Sequence, residues 1–356
     1  LVIILIILVG LFIRVNFSDD IILGSSFDSL FNNTYQEQRS LTNSNPGHIQ
    51  INKQPSRLPD NFESGVDYEY LVNFALEKIN EDRQKNGMNP VALGNNMAAQ
   101  NHADDMLALD YFSHWNSKGV KPYVTYTYFG GQGYIQENIA AAWCQGFSCK
   151  LDPVEQIQKS QYSMMYDDED SNWGHRNTIL NPHHTHVNIG IAYDNNSFYY
   201  VQHFETKMID WHALGVDSNV LILKGVILDT GYSLDSILVY RDEVFGTLTG
   251  HDLENLEPYN AGFYGQGQLV GVLVEKPPFL MYYEECEAGK IALDSSDESH
   301  CVRYQTYDKP VGSDFEIRED ITGWLSQPGL YTIYVNMKNS SGDVMPSTSL
   351  TLNFIK

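Results

Sequence analysis

Three short segments set a histidine or an acid among small and aromatic neighbours. They are Tyr111-Phe-Ser-His-Trp-Asn at 111–116, Gln136-Glu-Asn-Ile-Ala at 136–140 and Ser171-Asn-Trp-Gly-His-Arg-Asn-Thr-Ile-Leu-Asn-Pro at 171–182. They supply His114, Glu137 and His175, which could assemble into one polar site. Neutral imidazole suits Zn²⁺ and similar borderline ions, and a nearby Glu can orient it or hold a water. Two His ligands alone would make a weak, open site. A water on such an ion could attack a substrate with Glu137 as general base. The competing reading has His114, Glu137 and His175 hydrogen-bond one another across a cleft and lock their loops together.

Other candidates carry less chemistry. His102 falls on the buried face of a predicted helix and reads as a core histidine rather than a ligand. His183, His184 and His186 cluster in what reads as a solvated loop. Ser113 adjoins His114, but sequence neighbours usually point apart, and neither a GxSxG elbow nor an HExxH helix occurs. Gly130-Gly-Gln-Gly lacks the Lys and Ser/Thr of a phosphate loop. The acidic run 167–170 lacks the ligand spacing and Gly of an EF-hand and reads as a solvated face.

The elements that would position these residues can be read from periodicity. From Val66, Leu71, Phe74, Ala75 and Ile79 mark one helical face, with Gly87 and Pro90 as stop signals. A second helix is predicted over about 95–109 and a third over about 153–166, where Pro153 opens the first turn. Val187-Asn-Ile-Gly-Ile-Ala-Tyr and Phe198-Tyr-Tyr-Val-Gln-His-Phe read as a hairpin around Asp194-Asn-Asn-Ser. After Met208 the runs at 220–228, 236–240, 268–274, 330–335 and 349–355 are strand-like, with no convincing amphipathic helix between them. The chain therefore reads as α+β: a mixed unit at 66–208, then an all-β, immunoglobulin-like sandwich at 216–356.

A length of 356 residues favours two domains with flanks, and 42% hydrophobic with 12% aromatic content argues for ordinary globular folding. A net charge of −23 excludes nucleic acid and anionic membrane surfaces as partners, since phosphates would be repelled. Four cysteines fall into two local pairs, Cys144 with Cys149 and Cys286 with Cys301, which suits disulfides in an oxidising, extracellular compartment. Residues 1–14, an uninterrupted apolar run closed by Arg14, read as a signal peptide or membrane anchor, and 15–64 as a polar linker.

Taken in order, residues 66–205 resemble the CAP superfamily: cysteine-rich secretory proteins, venom antigens and plant pathogenesis-related proteins. The resemblance rests on Asn80 and Arg83, Gln100-Asn-His-Ala-Asp-Asp-Met-Leu-Ala, Tyr111-Phe-Ser-His, Gln136-Glu-Asn-Ile-Ala, Gly174-His-Arg-Asn-Thr-Ile-Leu-Asn-Pro, Asn188-Ile-Gly-Ile-Ala-Tyr and Tyr200-Val-Gln-His-Phe. The His-Arg-x-x-Ile-Leu-Asn-Pro run has the style of the prokaryotic branch. The resemblance implies an α-β-α sandwich with a central cleft in which two His, here His114 and His175, can hold a divalent metal, with Zn²⁺ favoured. Glu137 is the first cleft acid. Met164 stands where the second acid of many eukaryotic members would lie, and no motif selects a substitute from Asp167 to Asp170.

The resulting expectation is an extracellular binding module for a small apolar ligand or a cell-envelope polymer, secreted or anchored through its N-terminal segment. Tyr111, Phe112, Trp115, Trp143 and Trp173 stand beside the site as its apolar lining. The alternatives are a metal-dependent hydrolase acting on peptide or envelope polymers, and a surface adhesion protein whose β-domain does the work.

Overall fold

In the computed structural model the described residues are 3–8 and 11–15, 67–146, 149–256, 262–276, 290–292 and 301–354. Almost all of the predicted polar linker, and Cys286, lie outside them. The apolar N-terminal run carries two strands. Its strands β1 (Ile3–Leu8) and β2 (Leu11–Val15) pair antiparallel, with Ile7 opposite Phe12 and Leu8 opposite Leu11. Isoleucine and valine are stiff at χ1 and favour extended backbone. None of the described helices is long and apolar enough to cross a membrane.

Helix α1 (Tyr68–Lys85) begins where the Asp67 side chain accepts the Glu69 N–H, and it buries Leu71, Ala75 and Ile79 completely. Gly87, at φ +76°, lets the chain leave it. The short strand β3 (Ala92–Leu93) leads to α2 (Ala98–Leu109), and α3 (Pro122–Tyr128) precedes β4 (Tyr134–Trp143). Helix α4 (Pro153–Tyr166) is capped by Asp152, which accepts from Val154 and Glu155, with Pro153 in its first turn. A 3₁₀ turn at Glu169–Ser171 and the short α5 (Gly174–Ile179) carry His175. Strands β5 (His186–Tyr193) and β6 (Ser197–Thr206) form the predicted hairpin.

These strands make a sheet of order β3-β5-β6-β4, so β4 is an edge. Alternation sorts its residues between two faces. Ile189, Ile191, Tyr200 and Phe204 pack against α1 and α4, whereas Ile139, Ala192, Tyr199 and Val201 pack beneath α2. This is the expected α-β-α sandwich. Helix α2 approaches so closely that a Cβ on Gly190 would stand 2.1 Å from the Ala99 carbonyl oxygen, which accounts for glycine in the Asn-Ile-Gly-Ile run.

The β region begins with β7 (Ile209–Asp217), β8 (Val220–Ile227) and β9 (Tyr232–Asp242). It continues through a short helix α6 (Gly250–Glu254), which the sequence pattern does not reveal, to β10 (Gln268–Glu275). Then follow β11 (Lys290–Ala292), β12 (Cys301–Tyr307), β13 (Asp314–Asp320), β14 (Gly329–Asn339) and β15 (Val344–Phe354). Two sheets, β11-β12-β10-β9-β14-β15 and β13-β8-β7, enclose one apolar core that includes Trp211, Leu223, Phe315 and Ile333. The two halves interlock through polar contacts. Buried Lys121 meets Asp242 at 2.5 Å, Tyr123 donates to the same carboxylate, and the Ser349 N–H donates to the Gly133 carbonyl. Cys144 and Cys149 are disulfide-bonded beyond the end of β4, and Cys301 is also in a disulfide.

Candidate functional site

The edge strand β4 organises the site. Glu137 points to its α2 face, directly across from His203 on β6, and His102 descends on them from α2. One carboxylate oxygen of Glu137, Oε2, meets His102 Nδ1 at 2.8 Å and His203 Nε2 at 2.6 Å. The other, Oε1, meets His114 Nδ1 at 2.8 Å. His114 comes from the loop after α2, where Tyr111 is fully buried and donates to Asp105. Ser117 donates to the same Asp105 through its hydroxyl and its N–H, which fixes the loop's far side.

Burial alone would raise the Glu137 pKa, but the charge of His102 and the hydrogen bonds from His102, His114 and His203 outweigh it and hold the carboxyl well below the ordinary range. His102 is pulled the opposite way by the same contacts: burial disfavours its cation, yet the Glu137 carboxylate raises its pKa. Its Nε2 makes no hydrogen bond of good geometry, although the Ser113 carbonyl lies close enough to favour the protonated ring. Burial lowers the His114 pKa and outweighs Glu137, whose hydrogen bond and charge raise it; charge on His102 or His175 would lower it further. With Nδ1 committed to Glu137, the lone pair of His114 sits on Nε2.

His175 is held by a second carboxylate. The backbone passes through two left-handed residues, Asn172 (φ 52°) and Trp173 (φ 59°), immediately before α5. For a bulky residue such as Trp173 that conformation is uncommon, and backbone strain of this kind gathers at functional sites. The turn brings Asp168 Oδ1 to 2.6 Å from His175 Nδ1, while Asp168 Oδ2 accepts the Arg176 N–H. Asn138, on the opposite face of β4 from Glu137, donates to the His175 carbonyl and ties α5 to the edge strand. Arg83, fully buried, donates to the carbonyls of Asn89, Ile179 and Asn181 and so anchors the Ile-Leu-Asn-Pro end of the motif to α1.

The structure thus brings His114, Glu137 and His175 to one edge of the sheet and adds three residues that sequence reasoning missed. Asp168 is the carboxylate that no motif could single out. It is buried, not part of a solvated face, and Met164 lies in the core against α1 rather than in the cleft. His102 is buried as expected, but it serves Glu137. His203 was legible only as a strand residue, because its partnership follows from the β4–β6 register. The cluster 183–186 also differs from a solvated loop. His184 is buried between Thr206 and Gln136, and burial, reinforced by Arg83, lowers its pKa to about 3.

The predicted aromatic lining divides. Tyr111 is core, whereas Phe112 and Trp143 meet edge-to-face at 6.1 Å, with Trp143 and Trp173 largely open to solvent.

The buried group His102, Glu137 and His203 could hold a metal ion, its ligand atoms lying within 4.8 Å of one another. Its present contacts of 2.6–2.8 Å are hydrogen-bond lengths. Ligands sharing a tetrahedral Zn²⁺ with bonds near 2.0–2.1 Å would stand about 3.3 Å apart, so an ion there would have to displace the protons that now join the three groups.

Residues 76–204 match the family model of CAP, the cysteine-rich secretory protein family. Among solved structures, an outer surface protein from Borrelia burgdorferi is similar at 13% identity and a TM-score of 0.31, over 40% of this chain and 97% of that one. The CAP domain of Enterococcal PrgA is similar at 13% identity and a TM-score of 0.27, over 42% of this chain and 84% of that one. None of the curated proteins matches the chain.

Proposed function

From the premise that residues 76–204 carry a CAP domain, we propose that the protein is an extracellular binding module whose cleft takes a divalent cation through His114 and His175. One observation carries this reading: the site has two layers. His102, Glu137 and His203 are sealed, with side chains no more than 4% exposed, whereas His114 and His175 are 17% and 25% exposed. Each outer imidazole has Nδ1 tethered to a carboxylate, which leaves Nε2 as the metal-ligating atom. This is the carboxylate–histidine arrangement that orients metal ligands. Zn²⁺ suits imidazole ligands. Phe112, two residues before His114, offers an apolar surface on which a small apolar ligand or an envelope polymer could rest. The disulfide Cys144–Cys149 fits an oxidising location.

Hydrolysis is the weaker reading. A general base works best with a pKa near the operating pH. Glu137, the base that hydrolysis would use, holds three imidazoles and its pKa is depressed, which makes it a weak base. The test is metal content by mass spectrometry on protein purified without chelator or affinity tag, alongside His114→Ala, His175→Ala and His203→Gln. Stoichiometric metal lost in the first two variants is expected. Metal retained in both, or lost only with His203→Gln, would overturn the assignment to the outer pair.

A further inference from the structure

The excursion between β9 and β10 does not simply connect two strands of the β region; it returns to clasp the loop that carries His114. Leu248 donates its N–H to the Ser117 carbonyl, and Trp115 donates from Nε1 to the Phe263 carbonyl at 3.0 Å. Gly262, at φ +69°, lies so close to Trp115 that a Cβ would stand 2.5 Å from its ring. This approach delivers Tyr264 to the site. Its hydroxyl accepts the Glu137 N–H at 2.9 Å and donates to the Glu137 carbonyl at 3.0 Å, and its ring lies 4.6 Å from that of His114. Glu137 is on an edge strand, so without the phenol both backbone groups would be left as open sheet edge.

We propose that Tyr264 is a positioning residue of the cleft, supplied by the β region, which fixes the Glu137–His114 pair from the unpaired edge of β4. The consequence for cation capture rests on the function proposed above; the positioning itself does not. Burial and the Glu137 charge push the phenol's pKa upward, so it remains a hydrogen-bond donor throughout the physiological range.

The experiment uses the full chain with Tyr264→Phe, which keeps the ring, and Tyr264→Ala, which removes it. In metal-free protein, NMR reads the Glu137 amide exchange rate and the protected imidazole Nδ1–H proton that His114 shares with Glu137. Exchange should rise about tenfold in Tyr264→Phe, and the imidazole proton signal should vanish in Tyr264→Ala. Calorimetry with Zn²⁺ should show affinity about 10-fold weaker for the Phe variant and approaching 100-fold weaker for the Ala variant, the range expected when a residue supporting a metal ligand is lost. An unchanged imidazole signal in both variants would overturn the positioning role, and unaltered Zn²⁺ affinity in both variants would overturn its consequence for cation capture. If the wild type takes up no Zn²⁺, the metal reading fails while the imidazole signal still decides the positioning role. Should the Ala variant not fold, a Phe variant with unchanged exchange overturns the proposal.

Discussion

Two histidine–carboxylate pairs lie on the same sheet edge, and they are built by different means. Glu137 is fixed by strand register and helix packing: a cross-strand neighbour, an overlying helix and a loop each contribute an imidazole, and no part of the carboxylate reaches solvent. Asp168 and His175 are seven residues apart in sequence, joined by a strained left-handed turn whose neighbours Glu169 and Asp170 are exposed. A pair defined by tertiary packing can fail only by disturbing the fold. A pair defined by a local turn can change while the fold stands. The first should therefore register mainly in stability and the second mainly in binding.

The sharpest way to break this contrast is Glu137→Ala. Removing one partner of a buried charged pair typically costs about 3–5 kcal/mol, because the remaining charge is left uncompensated. Urea unfolding should show a loss of that size, and a loss under about 1 kcal/mol would mean that the buried cluster is not a stabilising network.

The second prediction concerns pH. The folded pKa of His102 is raised above its ordinary 6.5, so its contribution to stability is full below that value and is lost as pH rises through the folded pKa. The destabilisation caused by His102→Gln should therefore be largest near about pH 6 and shrink as the pH is raised. Parallel unfolding curves of wild type and variant across that range make the comparison.

The third and smallest effect separates Asp168 from its neighbours. Asp168→Ala should cost about 1.5–3 kcal/mol, the range for a hydrogen bond to a charged group. It should also weaken Zn²⁺ binding about 10- to 100-fold. Exposed Glu169→Gln should stay within about 0.5 kcal/mol and leave binding unchanged. Equal behaviour of the two variants in calorimetry would remove the special status given to Asp168.

How much of this was legible beforehand follows the same division. Helices α1 and α4 announce themselves in the sequence: apolar residues recur on one face of α1 before Gly87 and Pro90, and Pro153 opens α4. The motifs carrying His114, Glu137 and His175 each have a local signature, and the resemblance they carry holds over residues 76–204. His203 stands in the Tyr200-Val-Gln-His-Phe motif, but its role arises only when Glu137 is set opposite it across two strands, and no single-strand pattern encodes that register. Asp168 was hidden among four consecutive acids, where the choice depends on a turn through Asn172 and Trp173 that bulky residues seldom adopt. Tyr264 was out of reach for the same reason as His203, only more so: it meets Glu137 across 127 positions of sequence.

The polar seam between the halves has a further consequence, in time rather than in space. Thr351 donates its N–H to Thr127 Oγ1 across 224 positions, and Ser349 likewise completes Gly133 at the head of β4. Contacts so distant in sequence slow the final search, since a long loop must close before they form. A chain emerging residue by residue would thus pair β4 with β6 early but cover the Gly133 end of β4 late, once β15 has arrived. Until then that edge stays open to pairing with other chains, a natural point of vulnerability during synthesis.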